Sequence, residues 1–193
     1  IRDRRQQFPG GRDRKCAGGI PAYIDGFCGM AGLHRRVHGG TACVPHRDDG
    51  ECGEELRAVV RALYARGLRI FWSGMAAGFD LAAAETVLAL RAELPGVRLC
   101  CAVPFPAQAD RYSQRDRDRY ARILSRADET TTLGARYEPR CYLRRDEFMV
   151  ERSAVVVAWF DGSKGGTRYT WEYARRCKAE RINLWRDGQG ELF

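Results

Sequence analysis

The sequence predicts an α/β fold, a Rossmann-like three-layer domain with a mostly parallel sheet. From Thr41 onward, short apolar runs alternate with amphipathic stretches, as expected for repeated βα units. Two turns between such runs and helical stretches, 73–80 and 161–167, are glycine-rich. At 193 residues the chain is long enough for one such domain with a substantial core.

The segment before residue 41 has a different character. Residues 1–40 contain many arginines and glycines and show no sustained helical or strand period. Such a segment has no face that could pack on a core, so it is predicted to be a poorly ordered arm or an artefactual start of the chain. The domain proper is therefore expected to comprise residues 41–193.

Hydrophobic periodicity assigns the elements of this domain in order. Between residues 54 and 66 the apolar positions share one helical face, and Gly67 is placed to end the helix. A strand is expected over 68–73, and a helix from about Asp80 until Pro95. The remaining elements are predicted to be strand 97–103, a helix capped by Ser113, strand 130–133, helix 141–152, strand 154–160, helix 167–179 and strand 182–185.

Charge, cysteine content and hydropathy argue against several classes of function. The net charge is +8, and nearly all the positive charge is arginine. Much of it is interleaved with acids, as in 115–119, a pattern typical of solvated helix faces. The eight cysteines form no C-x-x-C pair and only three histidines are present, so no metal site is expected and Cys100 and Cys101 are expected to be buried in a strand. Neither a secretory signal nor an apolar run of transmembrane length is visible, which favours a cytoplasmic protein with reduced thiols and no membrane partner.

The first glycine-rich loop, SGMAAGFD at 73–80, follows a predicted strand and opens a helix. Ligands of open parallel sheets bind at such loops, beyond the carboxyl ends of the strands. Gly74 and Gly78 permit close approach of the backbone, and the following helix N-terminus attracts an anion such as phosphate. The alternative is that the glycines only tighten the turn and that Asp80 is a helix cap.

Two further loops complete the predicted crevice. The loop DGSKGGT at 161–167 repeats the arrangement of the first and adds a hydroxyl and an ammonium group. In the proline-stiffened loop 103–106, Phe105 could stack on a base or pack as a turn residue. The ligand-binding residues predicted from the three loops are Ser73, Gly74, Met75, Gly78, Asp80, Pro104, Phe105, Gly162, Ser163, Lys164, Gly165, Gly166 and Thr167.

Four motifs, in this order and spacing, together resemble the YpsA-like branch of the SLOG superfamily. They are the loop 73–80, Pro104-Phe105-Pro106 with Gln108, Cys141-Tyr142 followed by Arg145 and Met149-Val150, and the loop 161–167. The resemblance covers roughly residues 42–185 and implies a Rossmann-like fold with a site for a nucleotide-derived ligand. The DNA-processing A proteins and the Lonely Guy phosphoribohydrolases belong to the same superfamily.

The first loop of the family departs from its usual Thr-Gly-His-Arg turn in this chain, which reads CVPHR at 43–47. His46 and Arg47 match the family pattern, and the resemblance adds them to the predicted ligand-binding residues. Pro45 removes a backbone N–H that the turn could have offered to a ligand.

These features predict binding or sensing of a nucleotide or nucleotide-derived ligand without strong catalysis and without a required cofactor. The loops supply phosphate-binding groups, but the sequence shows no pair of nucleophile and base. The ligand is expected to be a small nucleotide-type molecule, and a homo-oligomer is left open.

Two alternatives remain at this point. A Lonely Guy-like phosphoribohydrolase needs a carboxylate, yet Thr170 stands where that family has its glutamate and Glu172 is expected to face solvent. Asp80 or Glu85, the latter expected on the inward face of its helix, would then be the catalytic carboxylate. The second alternative, single-stranded nucleic-acid binding, is favoured by the many arginines and by the aromatic residues Tyr112, Tyr120 and Trp171.

Overall fold

The structure is a computed structural model that describes residues 20–25 and 49–185, with side chains from Gly53 to Trp185. The strands are β1 Ile20–Asp25, β2 Leu68–Ser73, β3 Arg98–Val103, β4 Glu129–Thr132, β5 Val155–Ala158 and β6 Glu180–Asn183. The α-helices are α1 Asp49–Ala65, α2 Phe79–Leu90, α3 Gln114–Leu124, α4 Cys141–Val150 and α5 Gly166–Arg176, and one 3-10 turn spans Pro106–Ala109. The six strands form one parallel sheet in the order β4-β3-β2-β1-β5-β6.

Helices cover both faces of the sheet. Successive side chains of a strand point to opposite faces, so each central strand contributes to two cores. In β2, Phe71 packs in the core beneath α1, α2 and α3, whereas Ile70 and Trp72 pack beneath α4 and α5 with Met149 and Ala174. This arrangement confirms the predicted α/β, Rossmann-like three-layer fold.

The first strand lies within the segment that was expected to be an arm. Residues 20–25 form β1, which pairs with β2 on one side and β5 on the other and so occupies the interior of the sheet. The expectation that nothing before residue 41 belongs to the domain is wrong for these six residues. The alternation of apolar and polar residues in β1 is brief and includes Pro21, a residue that normally argues against a central strand. The other residues of the predicted arm lie outside the described ranges.

The remaining predicted elements are present, with shifted ends. The apolar run 154–160 predicts a longer strand than β5, which stops at Ala158. Beyond that point the amide of Asn183 replaces the ladder: its Oδ1 accepts from the backbone N–H of Phe160 at 3.0 Å and its Nδ2 donates to the Phe160 carbonyl at 2.8 Å. β5 therefore ends where the side chain of Asn183 replaces the backbone hydrogen bonds of β6.

The cysteine prediction for β3 is confirmed, since Cys100 and Cys101 are both buried. Burial raises the pKa of the Cys101 thiol to about 12. Within the described ranges, no helix is both long and apolar enough to cross a bilayer.

Candidate ligand-binding site

The order of the strands defines where a crevice lies. From β1 the chain adds β2, β3 and β4 on one side and then returns to place β5 and β6 on the other. The switch point is therefore between β1 and β5, and ligands of open α/β sheets bind beyond the carboxyl ends of the strands at such a point. The loop after β5 begins there and the loop after β2 begins one strand away. The predicted residues His46 and Arg47 lie outside the described ranges.

An aromatic contact joins the start of α2 to the residue that follows β5. Phe79 is the first residue of α2, and Trp159 is the first residue after β5. Their ring centroids are 6.2 Å apart, so the rings bridge the ends of β2 and β5 across β1. The structure thus places the end of the loop 73–80 next to Trp159, the residue two positions before the loop 161–167.

Buried polar contacts hold the backbone of the first loop. Ser73 Oγ donates to the carbonyl of Asp80 at 3.1 Å and accepts from the backbone N–H of Met75 at 3.2 Å. Asp80 Oδ2 accepts from the backbone N–H of Ala76 at 3.2 Å, and its side chain is fully buried. Asp80 therefore holds the loop instead of capping the helix, whose N-cap is Gly78 without a side-chain cap.

A buried ion pair on α4 supports the same loop. Arg145 Nη1 donates to the Gly74 carbonyl at 2.7 Å, and Arg145 Nε donates to Asp146 Oδ1 at 2.9 Å. Thr170 on α5 donates to Asp146 Oδ2 at 3.2 Å, and all three side chains are at most 1% exposed. Burial raises the pKa of Asp146, while Arg145 and Thr170 oppose that rise. The pair ties α4 and α5 to the turn after β2.

Gly74 is required by this close approach. A Cβ added at Gly74 would lie 2.8 Å from Arg145 Cζ and 2.9 Å from Asp80 Oδ2. Any larger residue would displace two buried charged groups, so a variant at Gly74 would lose its loop structure as well as any ligand.

Gln108 and Tyr112 also donate hydrogen bonds to the backbone of the first loop. Gln108 Nε2 donates to the Gly74 carbonyl at 3.0 Å, and the Tyr112 hydroxyl donates to the Met75 carbonyl at 3.1 Å. Burial raises the pKa of Tyr112 to about 12, which keeps this donor protonated. Met75 itself is buried with a φ of 60°, a left-handed conformation that is uncommon outside glycine.

The sequence-based list of ligand-binding residues omits these supporting groups, although one signal was available. Arg145 lies four residues after Cys141 and four before Met149, both of which are buried on α4. A charged residue at that position of an apolar helical face indicates a buried ionic contact.

The second loop differs from the first in being open to solvent. Ser163, Lys164 and Gly165 are exposed, and Thr167 is buried at the start of α5. Gly162 has a φ of +86°, which favours glycine, whereas Gly165 is extended. Gly165 is the N-cap of α5 and no side chain caps this helix.

The third loop supports the packing alternative for Phe105. Phe105 is 6% exposed, and its ring lies edge-on to Tyr137 and Tyr142 with centroid distances of 5.7 and 5.8 Å. Pro104 is buried beside it. Phe105 is thus a packed turn residue, and its neighbour Tyr137 is the exposed ring of the cluster.

Glu85 does not lie in the crevice, and its expected position on the inward face of α2 was wrong. Its carboxylate is paired with Arg119 Nη2 at 2.8 Å and with Arg122 Nη2 at 3.2 Å, both on α3. Helix α3 packs beside α2 and offers these guanidinium groups, which explains why a charged residue is accommodated there. Burial raises the pKa of Glu85, but the hydrogen bonds and charges of the two arginines outweigh it and leave the pKa lowered.

We expect Glu85→Gln to leave ligand binding unchanged and to cost about 0.5–1 kcal/mol of stability at neutral pH, the usual value of a partly exposed ion pair. Because the folded-state pKa is lowered, this contribution is present above the unfolded pKa near 4.3 and is lost as the pH falls through the folded value. Urea unfolding of both proteins at about pH 7 and about pH 3.5 measures it. An equal difference in unfolding free energy between the two proteins at both pH values would contradict the ion pairing of Glu85.

The other aromatic and acidic candidates are divided between the two faces of the sheet. Tyr120 is buried and contacts Tyr112 on the α3 side, whereas Trp171 lies on α5 against Phe160. Glu172 is partly exposed, with its side chain 41% accessible, and is paired with Arg175. Within residues 53–185, no group of three or more histidine, cysteine or acidic side chains is close enough to hold a metal ion.

Sequence comparisons identify relatives over most of the chain. The YpsA family model, described as the YspA SLOG family, matches residues 53–185. The SPbeta prophage-derived protein YoqJ of Bacillus subtilis (strain 168) is 30% identical over 146 residues, which cover 69% of this chain and 85% of that protein. A UPF0398 protein of Bacillus thuringiensis (strain Al Hakam) is 30% identical over 149 residues, covering 75% of this chain and 76% of the relative.

Two solved structures share the fold. DNA processing protein A from Helicobacter pylori, in a study of its single-stranded DNA binding mode, superposes with a TM-score of 0.59 at 16% identity, covering 90% of this chain and 68% of that one. The corresponding protein from Streptococcus pneumoniae gives a TM-score of 0.55 at 14% identity, covering 84% of this chain and 49% of that one. At these identities the likeness concerns the fold alone.

Proposed function

This chain belongs to the YpsA family of SLOG proteins, and from that membership we propose that it binds a nucleotide or nucleotide-derived ligand at the carboxyl edge of its sheet. One observation carries the proposal. Helices α2 and α5 both begin at a glycine N-cap without a side-chain cap, and Phe79 at the start of α2 contacts Trp159, which directly follows β5. The first N–H groups of each helix lack partners within the helix and carry partial positive charge, which suits phosphate.

The surroundings of the two loops support an anionic ligand. Lys164 is exposed in the loop that precedes α5, and the chain has a net charge of +8. Asp80 and Arg145 hydrogen-bond to the backbone of the loop after β2, so that backbone is ordered before a ligand binds. An ordered site loses less conformational entropy on binding than a mobile one.

The positions of the carboxylates Asp80 and Glu85 support ligand binding without turnover. Asp80 is buried and accepts a backbone hydrogen bond, and Glu85 is paired with Arg119 on another helix. A glycosidase carboxylate must reach the bond that breaks, and neither side chain is offered to the crevice. The domain is therefore proposed as a ligand-binding and sensing module.

The test is a thermal-shift screen of the full chain with AMP, ADP-ribose, NAD and, as a control without phosphate, adenosine. We expect stabilisation by phosphate-bearing compounds, about 2.7 kcal/mol at a ligand concentration of 100 times Kd. Chromatography of the same mixtures should show the nucleotides intact. Failure of every phosphate-bearing compound to stabilise the chain, or equal stabilisation by adenosine, would contradict the proposal, and free base with ribose phosphate would establish hydrolysis instead.

A single-stranded nucleic acid is the second candidate, favoured by one observation. The fold neighbour from Helicobacter pylori is described by its single-stranded DNA binding mode, and the present chain shares its fold and is strongly basic. Binding of an oligothymidylate would weaken steeply with salt because several phosphates release counterions, whereas binding of one mononucleotide would weaken little. Affinities at about 50 and 200 mM salt separate the two.

A further inference from the structure

The loop between β4 and α4, residues 133–140, is held at the carboxyl edge of the sheet. The backbone N–H of Leu133 donates to the Val103 carbonyl at 2.9 Å. Gly134 packs so closely that an added Cβ would lie 3.3 Å from the Pro104 carbonyl oxygen. The loop therefore rests on the turn after β3, the strand next to β2.

Tyr137 projects from this loop with most of its surface in solvent. Its side chain is 62% exposed, more than any other large hydrophobic side chain in the described ranges. The ring is nonetheless fixed, because its centroid lies 5.7 Å from that of Phe105 at an interplanar angle of 85° and 6.4 Å from that of Tyr142 at 55°. Contacts of this inclined kind hold a ring without stacking on its face.

A continuous set of contacts joins Tyr137 to the first glycine-rich loop. Tyr142 contacts Tyr137 on one side, and its ring centroid lies 5.7 Å from the guanidinium carbon of Arg145 on the other. Arg145 in turn donates to the carbonyl of Gly74. The exposed ring is thus only two side chains away from the loop that is proposed to bind phosphate.

The charge around the ring also suits a nucleotide. Arg136 precedes Tyr137 and is exposed, and Arg140, three residues after the ring, is also exposed and lies 3.8 Å from the Glu147 carboxylate. Glu138 is the acid next to the ring, and its carboxylate is paired with Arg144 at 2.8 Å. An exposed aromatic ring flanked by guanidinium groups combines a stacking surface for a base with cations for phosphate.

From these contacts we propose that Tyr137 is the base-stacking residue of the site, a specificity element that takes a nucleobase whose phosphate lies at the glycine-rich loops. This inference rests on the proposed function. The shared chemistry is a base with an attached phosphate, which a mononucleotide or one residue of a single strand can supply.

The test compares Tyr137→Ala with Tyr137→Phe in the full chain, using AMP and its base-free counterpart, ribose 5-phosphate. We expect Tyr137→Ala to weaken AMP binding about 5- to 150-fold, the range for loss of one stacked base, and to leave ribose 5-phosphate binding unchanged. Tyr137→Phe keeps the ring and should bind AMP as the wild type does. Leu133→Ala, which removes another exposed apolar side chain of the same segment, serves as the matched control.

The outcomes separate this inference from the function on which it rests. If the wild type binds AMP and Tyr137→Ala binds it equally well, or if the variant loses AMP and ribose 5-phosphate alike, the stacking role is refuted and the proposed binding function stands. If the wild type binds none of AMP, ribose 5-phosphate, ADP-ribose, NAD and an oligothymidylate, both fail. Loss of oligothymidylate binding in Tyr137→Ala, with a steep salt dependence and no AMP binding by the wild type, would retain the stacking role and identify the single strand as its source.

Discussion

Replacing Arg145 with methionine is expected to lower the free energy of unfolding by about 3–5 kcal/mol, the usual cost of removing one partner of a buried ion pair. The guanidinium is fully buried, pairs with Asp146 and donates to the Gly74 carbonyl. Its loss leaves the Asp146 carboxylate buried without its counter-charge. Because domains of this size are stable by only about 5–15 kcal/mol, the variant should unfold at a much lower urea concentration.

The pH dependence gives this prediction a signature that a simple packing defect lacks. Without Arg145 the pKa of Asp146, already raised by burial, rises further. A raised folded-state pKa means that the folded protein binds the proton more tightly, so stability falls as the pH increases from the unfolded value near 3.9 toward the folded one. Urea unfolding at about pH 4.5 and about pH 7.5 should show the larger loss at the higher pH.

A second variant keeps the account testable if Arg145→Met folds too poorly to measure. In the double variant Arg145→Met with Asp146→Leu no carboxylate remains at position 146, so it should recover a large part of the lost stability. Two results would show that the Arg145–Asp146 pair does not stabilise the fold as expected. One is a double variant no more stable than Arg145→Met, and the other is a pH-independent loss of stability below about 1 kcal/mol in Arg145→Met.

Gly165→Asp is expected to abolish nucleotide binding while the fold is retained. The residue is exposed and extended, and an added Cβ would meet no atom within 4 Å. An aspartate at the N-cap of α5 would accept the helix N–H groups that are proposed to bind phosphate, and would also repel the anion. At an effective dielectric constant of about 20, like charges about 4 Å apart cost about 4 kcal/mol, so the affinity for AMP should fall by about 100-fold or more.

Stability and a neutral control distinguish this effect from damage to the fold. As an N-cap, aspartate should leave the unfolding free energy equal or raise it by up to about 1 kcal/mol. Gly165→Ser also caps the helix but adds no charge, so it should bind AMP more tightly than the aspartate variant does. Equal affinities for the wild type and Gly165→Asp, measured by calorimetric titration, would remove α5 from the proposed site.

The sequence was sufficient for most of the architecture because its elements are strongly periodic. Strand 97–103 and the helix that ends at Gly67 could be placed to within a few residues, since an apolar run or one apolar helical face marks each of them. The strand Ile20–Asp25 could not, because its pattern is short, contains a proline and lies among residues without periodicity. Its place in the sheet depends on partners distant in sequence, which local patterns do not report.

The candidate site, too, could be predicted from the sequence only in part. The loops 73–80 and 161–167 could be located because glycines follow apolar runs, and parallel strands bring their carboxyl ends to one edge. The groups that fix the first loop, Arg145 and Gln108, reach it from elements distant in sequence, and that contact depends on tertiary packing. The placement of Glu85 failed for the same reason, since the arginines of α3 that bind it are invisible to a helical wheel of α2.

The most direct test of the central claim is a map of backbone amide signals of the isotopically labelled full chain during titration with AMP. If phosphate lies at the two helix N-termini, the signals of Gly78, Phe79, Gly165 and Gly166 should shift together and saturate with one Kd. Shifts confined to the outer faces of α4 and α5, with these four amides unchanged at saturation, would place the ligand elsewhere and contradict the account.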